Sequence, residues 1–137
     1  MDVSVIIPHY NAGNYLPEAI NSLRPFLKSS SILCEVIIAD DGSTDAHSIA
    51  VLKQLEQEGL FKVIRQSNKG PAAARNNAIS NSTGKYLLFL DSDNKIRPAL
   101  IEKGVEVLSS GKADIFYGKA HFFGEKTKPL FSQGELN

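Results

Sequence analysis

Lys85-Tyr86-Leu87-Leu88-Phe89-Leu90-Asp91-Ser92-Asp93-Asn94 is the stretch that decides the fold. Five apolar residues, Tyr86 to Leu90, lead straight into two carboxylates. A short apolar run with Gly84 before it and polar residues after it predicts a strand buried on both faces, the central strand of a sheet. Asp91 and Asp93 stand at i and i+2 where that strand ends. In extended backbone this spacing puts both side chains on one face, about 7 Å apart at Cα. Two like charges so placed repel each other unless a cation or hydrogen-bond donors lie between them. Mg²⁺ or Mn²⁺ takes oxygen ligands at roughly 2.0–2.2 Å and usually keeps waters and substrate phosphates among them. A metal–diphosphate site fits the pair, and so does an acidic turn open to solvent.

Upstream the same pattern recurs three times. Val3-Ser4-Val5-Ile6-Ile7-Pro8 is a β-branched strand that ends in His9-Tyr10-Asn11. Glu35-Val36-Ile37-Ile38-Ala39 runs into Asp40-Asp41-Gly42-Ser43-Thr44-Asp45. Phe61-Lys62-Val63-Ile64-Arg65 is followed by Gln66-Ser67-Asn68-Lys69-Gly70. Helical spacing fills the gaps. The first helix is expected over Tyr15–Leu27, with Asn14 as cap, Pro17 in the first turn and Ala19, Ile20, Leu23 and Leu27 inward. Ser43 or Thr44 caps a second, running to about Glu58 with Ile49, Leu52 and Leu55 inward and Gly59 as its stop. Pro71 opens a third, continued by Ala72–Asn81.

Downstream, Pro98 opens a helix with Leu100, Ile101, Gly104, Val105 and Leu108 on its apolar face. Ala113-Asp114-Ile115-Phe116-Tyr117 reads as a last strand, prolonged or followed by His121-Phe122-Phe123, and beyond Gly124 the pattern dissolves. Alternating strands and helices predict an α/β/α layer architecture around a mainly parallel sheet. Ligands of such sheets bind at the carboxyl ends of the strands. Every polar cluster here directly follows a strand, so parallel strands gather all of them on one rim.

Composition sets the outer limits. The 137 residues suffice for one domain, residues 1–137, with a single core. Fifteen basic and fifteen acidic side chains cancel, so no global field draws the chain to nucleic acid or anionic lipid. Cys34 is the only cysteine, which excludes an internal disulfide and points to a reducing compartment. It opens an apolar run and is expected in the core. No apolar stretch approaches the roughly 20 residues of a membrane span, and the N-terminus lacks signal-peptide features. A cytoplasmic domain is expected, free or peripheral at the inner face of the membrane.

The rim is rich in acceptors and amides and poor in nucleophiles. Neither G-x-G-x-x-G nor G-x-x-x-x-G-K-[ST] occurs, which argues against a dinucleotide-dependent dehydrogenase and a P-loop enzyme. Asn68, Lys69 and Gly70 precede a helix whose N-terminal amides suit an anion, although a plain helix cap would look the same. Tyr10 beside Asn11 suits stacking on a base, while Asn11 and Gly13 also suit a plain turn. Asp41 can accept from a base N–H; capping a helix is the other role open to Asp40, Asp41 and Asp45. Arg75 sits one turn inside its helix, open to an acidic neighbour or to a phosphate. His9, His47 and His121 show no metal-ligand spacing, and only His9 stands on the rim.

These four clusters in this order resemble the N-terminal, nucleotide-binding part of a family 2 glycosyltransferase of the GT-A fold. The resemblance rests on Val3–Asn11, Glu35–Asp45, Asn68-Lys69-Gly70 with Ala74-Arg75-Asn76, and Gly84–Asp93, and spans roughly residues 2–120. It implies a hexosyltransferase-type, inverting transfer of a sugar from a nucleoside diphosphate, often uridine, to a hydroxyl of a saccharide or lipid-linked acceptor, as in polysaccharide biosynthesis. By position it implies base and nucleotide contacts from Pro8, Tyr10, Asn11, Asp40, Asp41, Asn68, Gly70, Arg75, Asp91 and Ser92. A divalent metal, Mn²⁺ or Mg²⁺, falls to Asp91 and Asp93, with Asp93 as the direct ligand.

One departure stands out. The family's general base is a carboxylate in a later, acceptor-binding segment, and Glu102, Glu106, Asp114, Glu125 and Glu135 form no such motif. A C-terminally truncated chain is therefore expected, with the base beyond Asn137, exposed apolar surface and self-association. Three other classes share some features. A non-catalytic nucleotide-binding fragment needs only the donor rim. Haloacid-dehalogenase-like phosphatases and receiver domains both place their acidic pair after the first strand, not the fourth.

Overall fold

The structure, a computed structural model, describes residues 1–118. Strands β1 (Val3–His9), β2 (Cys34–Asp40), β3 (Phe61–Arg65) and β4 (Tyr86–Phe89) alternate with helices α1 (Leu16–Ser29), α2 (Ala46–Gln57) and α3 (Pro71–Ser80), and α4 (Pro98–Ser109) follows. The strands form one parallel sheet in the order β3-β2-β1-β4. From β1 through β2 to β3 the chain steps one way across the sheet, so right-handed crossovers put α1 and α2 on one face. From β3 to β4 it steps back, which puts α3 on the other.

Packing follows that division. Ile6, Ile37 and Ala39 are buried together with Ala74 and Ala78 of α3. The alternate positions Val5, Ile7, Val36 and Ile38 face the other way and are equally buried, as are Leu16, Ile20 and Leu23 of α1 and Leu52 of α2. Each such aliphatic side chain contributes about 1.5–3 kcal/mol by leaving water. Strand β1, flanked by β2 and β4, is buried at all seven of its positions.

Several expectations need correction. Among the described residues β4 is an edge of the sheet rather than its centre, and Leu87 and Phe89 are 38% and 52% exposed. They pair in register with Ser4 and Ile6, on the face that α3 covers over β1 and β2, and they lie beyond its cover. No strand forms at Ala113–Tyr117. The described residues from Glu102 onward belong to a second compact unit, in which Phe116 lies against Gly104 of α4 while Ile115 and Tyr117 stay exposed. An apolar run without a neighbouring ladder has nothing to hold it extended. His121-Phe122-Phe123 lies outside the described residues.

Helix boundaries moved for local reasons. Tyr15, not Asn14, is the α1 N-cap and makes no side-chain cap bond. Asp45, not Ser43 or Thr44, caps α2, accepting from the His47 and Ser48 amides. The Ser43 and Thr44 hydroxyls are engaged elsewhere, as described below. Val51 takes the inward place expected of Ile49, which is 37% exposed. Cys34, at the first position of β2, is only half-buried.

Candidate functional site

The strand order reverses between β1 and β4, and open α/β sheets bind ligands in the crevice beyond such a switch point. A cavity of about 490 Å³ opens there, lined by Pro8, His9, Tyr10, Asp41, Asn68, Gly70, Pro71, Ala74, Arg75, Asp91 and Ser92. Its size suits a small organic ligand.

One buried bond fixes the floor. The Ser92 hydroxyl donates to the Pro8 carbonyl, tying the end of β4's connection to the end of β1. The carbonyl of a strand residue and its N–H position point the same way, so the N–H that Pro8 lacks would face this side too. Ladder pairing with β4 has already ended there, at Ile6–Phe89, so the proline costs no ladder bond.

The adjacent carboxylates Asp40 and Asp41 point to opposite faces and do different work. Asp40 faces the α1–α2 side. It meets His9 Nδ1 at 3.0 Å and accepts from the Ser43 hydroxyl at 2.5 Å and the Ser43 amide at 3.2 Å. Asp41 faces the cavity and accepts from Gln66 Nε2 at 2.8 Å, Lys69 N at 2.8 Å and Gly70 N at 2.9 Å. The anion at the entrance to α3 is thus Asp41 itself. The Lys69 amide, with Gln66 and Gly70, holds the Asp41 carboxyl below the ordinary carboxylate range against the opposing effect of burial. Gln66 in turn accepts from Asn77 Nδ2 at 3.0 Å, which carries the latch into α3.

Asn11 is the one non-glycine residue with positive φ among the described residues, at 47°. Its side-chain oxygen accepts from Thr44 N (2.9 Å) and Asp45 N (3.0 Å), its amide group donates to Thr44 Oγ1 (3.3 Å), and its backbone N–H donates to Ser43 Oγ (2.9 Å). This clasp joins the ends of β1 and β2 and leaves Tyr10, 49% exposed, at the cavity. Across the cavity, Arg75 of α3 reaches Asp91 at 3.1 Å.

Asp91 and Asp93 do not lie in extended backbone as expected. Strand β4 ends at Phe89, and the Asn94 N–H closes a turn on the Asp91 carbonyl at 3.0 Å. Ser92 is buried between them while both carboxylates remain exposed. Among the described residues no set of three acidic, His or Cys groups comes together around one point. Two exposed carboxylates on a rim fit a hard cation that takes few protein ligands and completes its shell with water and phosphate oxygens.

Eight of the expected residues therefore line one cavity: Pro8, Tyr10, Asp41, Asn68, Gly70, Arg75, Asp91 and Ser92. Asn11 and Asp40 stand behind its wall in the clasp, and Asp93 stands outside the lining. Gln66 and Asn77, which sequence reasoning passed over, complete the latch. Their signal was position alone, Gln66 directly after β3 and Asn77 two residues beyond Arg75. Ring atom Nε2 of His9 is buried with no partner among the described residues.

A parallel sheet whose polar rim sits at a topological switch point defines a ligand-binding type of open α/β domain. The chain belongs to glycosyl transferase family 2, which it matches over residues 4–135. It is 34% identical over 124 residues to the glycosyltransferase GlyG of Streptococcus pneumoniae serotype 4, covering 90% of this chain and 40% of that protein. TuaG of Bacillus subtilis, a glycosyltransferase named for teichuronic acid biosynthesis, is 40% identical over 108 residues, 77% of this chain and 41% of TuaG. The crystal structure of Staphylococcus aureus TarS 1–349 with UDP-GlcNAc superposes with a TM-score of 0.71 at 30% identity, over 83% of this chain and 33% of that one. The sheet is that of the N-terminal part of the GT-A fold, and the chain spans about 40% of the length of GlyG and of TuaG. No helix of the described residues is long and apolar enough to cross a membrane.

Proposed function

We propose that this chain is the donor-binding part of an inverting hexosyltransferase that uses a uridine-diphosphate sugar and a divalent metal. The observation that carries this reading is the convergence of four separate strand ends on one cavity, with the exposed Asp91 in its lining and the exposed Asp93 two residues further on. TarS, 30% identical, binds UDP-GlcNAc in its crystal structure, which supports uridine as the nucleoside.

In this reading Tyr10 stacks on the base and Asp41, with Asn68 near it, presents polar groups to the base edge. Asp41 uses three acceptor sites on the latch, which leaves a carboxylate capacity of about four with one to offer. Asp91 and Asp93 would hold the metal, which would supply Lewis-acid neutralisation of the leaving diphosphate. Arg75 orients phosphate oxygens through its fork of N–H donors. Ser92 and the Asn11 clasp keep these groups in place without touching the donor.

Transfer needs a further carboxylate to take the proton of the acceptor hydroxyl. We assign that base, and the saccharide or lipid-linked acceptor site, to a part of the protein outside residues 1–137. General-base catalysis contributes typically about 10²–10⁴-fold, and orientation of the acceptor several orders more.

Calorimetry with a panel of nucleoside diphosphates and nucleotide sugars, with and without Mn²⁺, tests the donor reading. UDP and UDP-sugars are expected to bind and to be tightened by Mn²⁺; a guanosine or thymidine preference, or no response to Mn²⁺, contradicts it. Acceptor-dependent release of UDP at about 1 s⁻¹ or faster, an ordinary enzyme rate, would place a base within these residues.

A further inference from the structure

We propose that Arg75 is a built-in counter-cation of the metal site: it holds Asp91 while no donor is present and exchanges it for the donor's diphosphate when nucleotide and metal arrive together. The inference rests on the donor–metal reading above and adds to it a coupling between the two ligands.

The Arg75 guanidinium meets Asp91 through one contact, Nη2 to Oδ1 at 3.1 Å. Guanidinium has five N–H donors in a fork suited to bidentate contact with phosphate, and this pair engages one of them. The side chains are 36% and 52% exposed. An ion pair so solvated contributes little to the fold and opens at little cost. Backbones on both sides are anchored: Arg75 follows Ala74, buried against the sheet, and Asp91 precedes Ser92, whose hydroxyl is bound to Pro8. The charged tips can therefore exchange partners without moving the walls.

The other charged group in the lining is Asp41, whose oxygens already accept from Gln66, Lys69 and Gly70. Within the cavity, Asp91 is thus the carboxylate left for Arg75. While they are paired, one of the two metal-binding carboxylates is neutralised, and a divalent cation approaching it meets a like charge. A diphosphate reverses both effects. It draws the guanidinium away and brings oxygens of its own to the metal. Metal and nucleotide then favour each other, by the same factor in either order of addition.

The test is Mn²⁺ binding to the full chain, followed by the electron paramagnetic resonance of free Mn²⁺ at low ionic strength, with and without UDP. Wild type is compared with Arg75→Gln and Arg75→Lys after urea denaturation has confirmed equal stability. Without UDP, Arg75→Gln should bind Mn²⁺ about 3–10-fold more tightly, the scale expected from removing one partly solvated charge. Arg75→Lys, which keeps the charge, should stay near wild type. With UDP, the tightening of Mn²⁺ should be several-fold smaller in Arg75→Gln than in wild type. Unchanged or weaker Mn²⁺ binding by nucleotide-free Arg75→Gln overturns the inference, as does tight binding by Arg75→Lys or full coupling in Arg75→Gln. If wild type takes up no Mn²⁺ even with UDP, the metal reading itself falls and the inference with it.

Discussion

Replacing Asn11 by alanine separates two roles that the residue could have, contact with the nucleotide and support of the loop that carries Tyr10. In the structure its side chain makes three hydrogen bonds to Thr44 and Asp45, and its backbone sits at φ 47°. Net values of about 0.5–1.5 kcal/mol per bond, taken at the low end for an exposed site, put the loss at roughly 1.5 kcal/mol. Alanine in the left-handed region costs a further ~1 kcal/mol, which asparagine tolerates better. Together these predict destabilisation of about 2–3 kcal/mol for Asn11→Ala. Glycine loses the same hydrogen bonds without the backbone strain, so Asn11→Gly should be milder by up to about 1 kcal/mol. Urea denaturation followed by circular dichroism reads both, as midpoints about 1–2 M lower for alanine at a typical slope. UDP affinity of the folded variants should fall only a few-fold, because the clasp acts through Tyr10. Neutral behaviour of Asn11→Ala, or equal damage from alanine and glycine, would refute the structural reasoning. Intact stability with UDP affinity down a hundredfold would make Asn11 a direct ligand.

Three further outcomes are expected. Asp93→Ala should abolish the Mn²⁺-dependent part of UDP affinity and leave the urea midpoint unchanged, since Asp93 is exposed; calorimetry with and without Mn²⁺ decides, and a retained Mn²⁺ response removes Asp93 from the metal. Gly84→Ala should cost about 3 kcal/mol, the upper end for overpacking, because its Cβ would lie 2.5 Å from the Ser4 nitrogen. UDP affinity should survive, as Gly84 sits at the end of β4 remote from the cavity, and an undiminished midpoint would show that β1 and β4 can part there freely. The Asp41 carboxyl is depressed from its ordinary value of 3.8, so its latch contributes fully above that value and fades only as pH falls through the depressed one. The Lys69 amide resonance should therefore hold steady from pH 8 to about 5 and shift only in stronger acid; an inflection near neutrality would mean a raised carboxyl.

What could be read from sequence divides along physical lines. Alternation of β-branched runs with helical spacing located the four strands and four helices of the described residues, because burial of one face leaves its period in the residues, and it added a strand at Ala113–Tyr117 that does not form. It could not rank the strands. The run Tyr86–Leu90 records affinity for a dry environment, not how many neighbours supply it; among the described residues the interior strands are β1 and β2. The rim was legible for a similar reason, since polar residues directly after parallel strands have one place to go. Asp41 was singled out for the rim, but that Asp40 turns away from the cavity was not legible. Asp40 and Asp41 differ by one step of the pleat, and only the register His9–Asp40 shows which one turns toward α1. Capping failed where hydroxyls had rival partners: Ser43 serves Asp40 and the Asn11 amide, leaving Asp45 to start α2.

The order β3-β2-β1-β4 also governs how such a chain comes together as it is synthesised. Strands β1, β2 and β3 are neighbours in sequence and can assemble through successive short crossovers. Strand β4 must instead return to β1, and the Gly84 amide meets the Ser4 hydroxyl across 80 residues of chain. Non-local closure of this kind is slow, because the loop entropy is lost before the contact forms. Until it happens, β1 keeps one edge bare beside its apolar residues. Both walls of the crevice, Pro8 on one strand and Ser92 beyond the other, exist only after that last docking, so the capacity to bind a ligand should appear late in folding, in step with β4 and not with the first three strands.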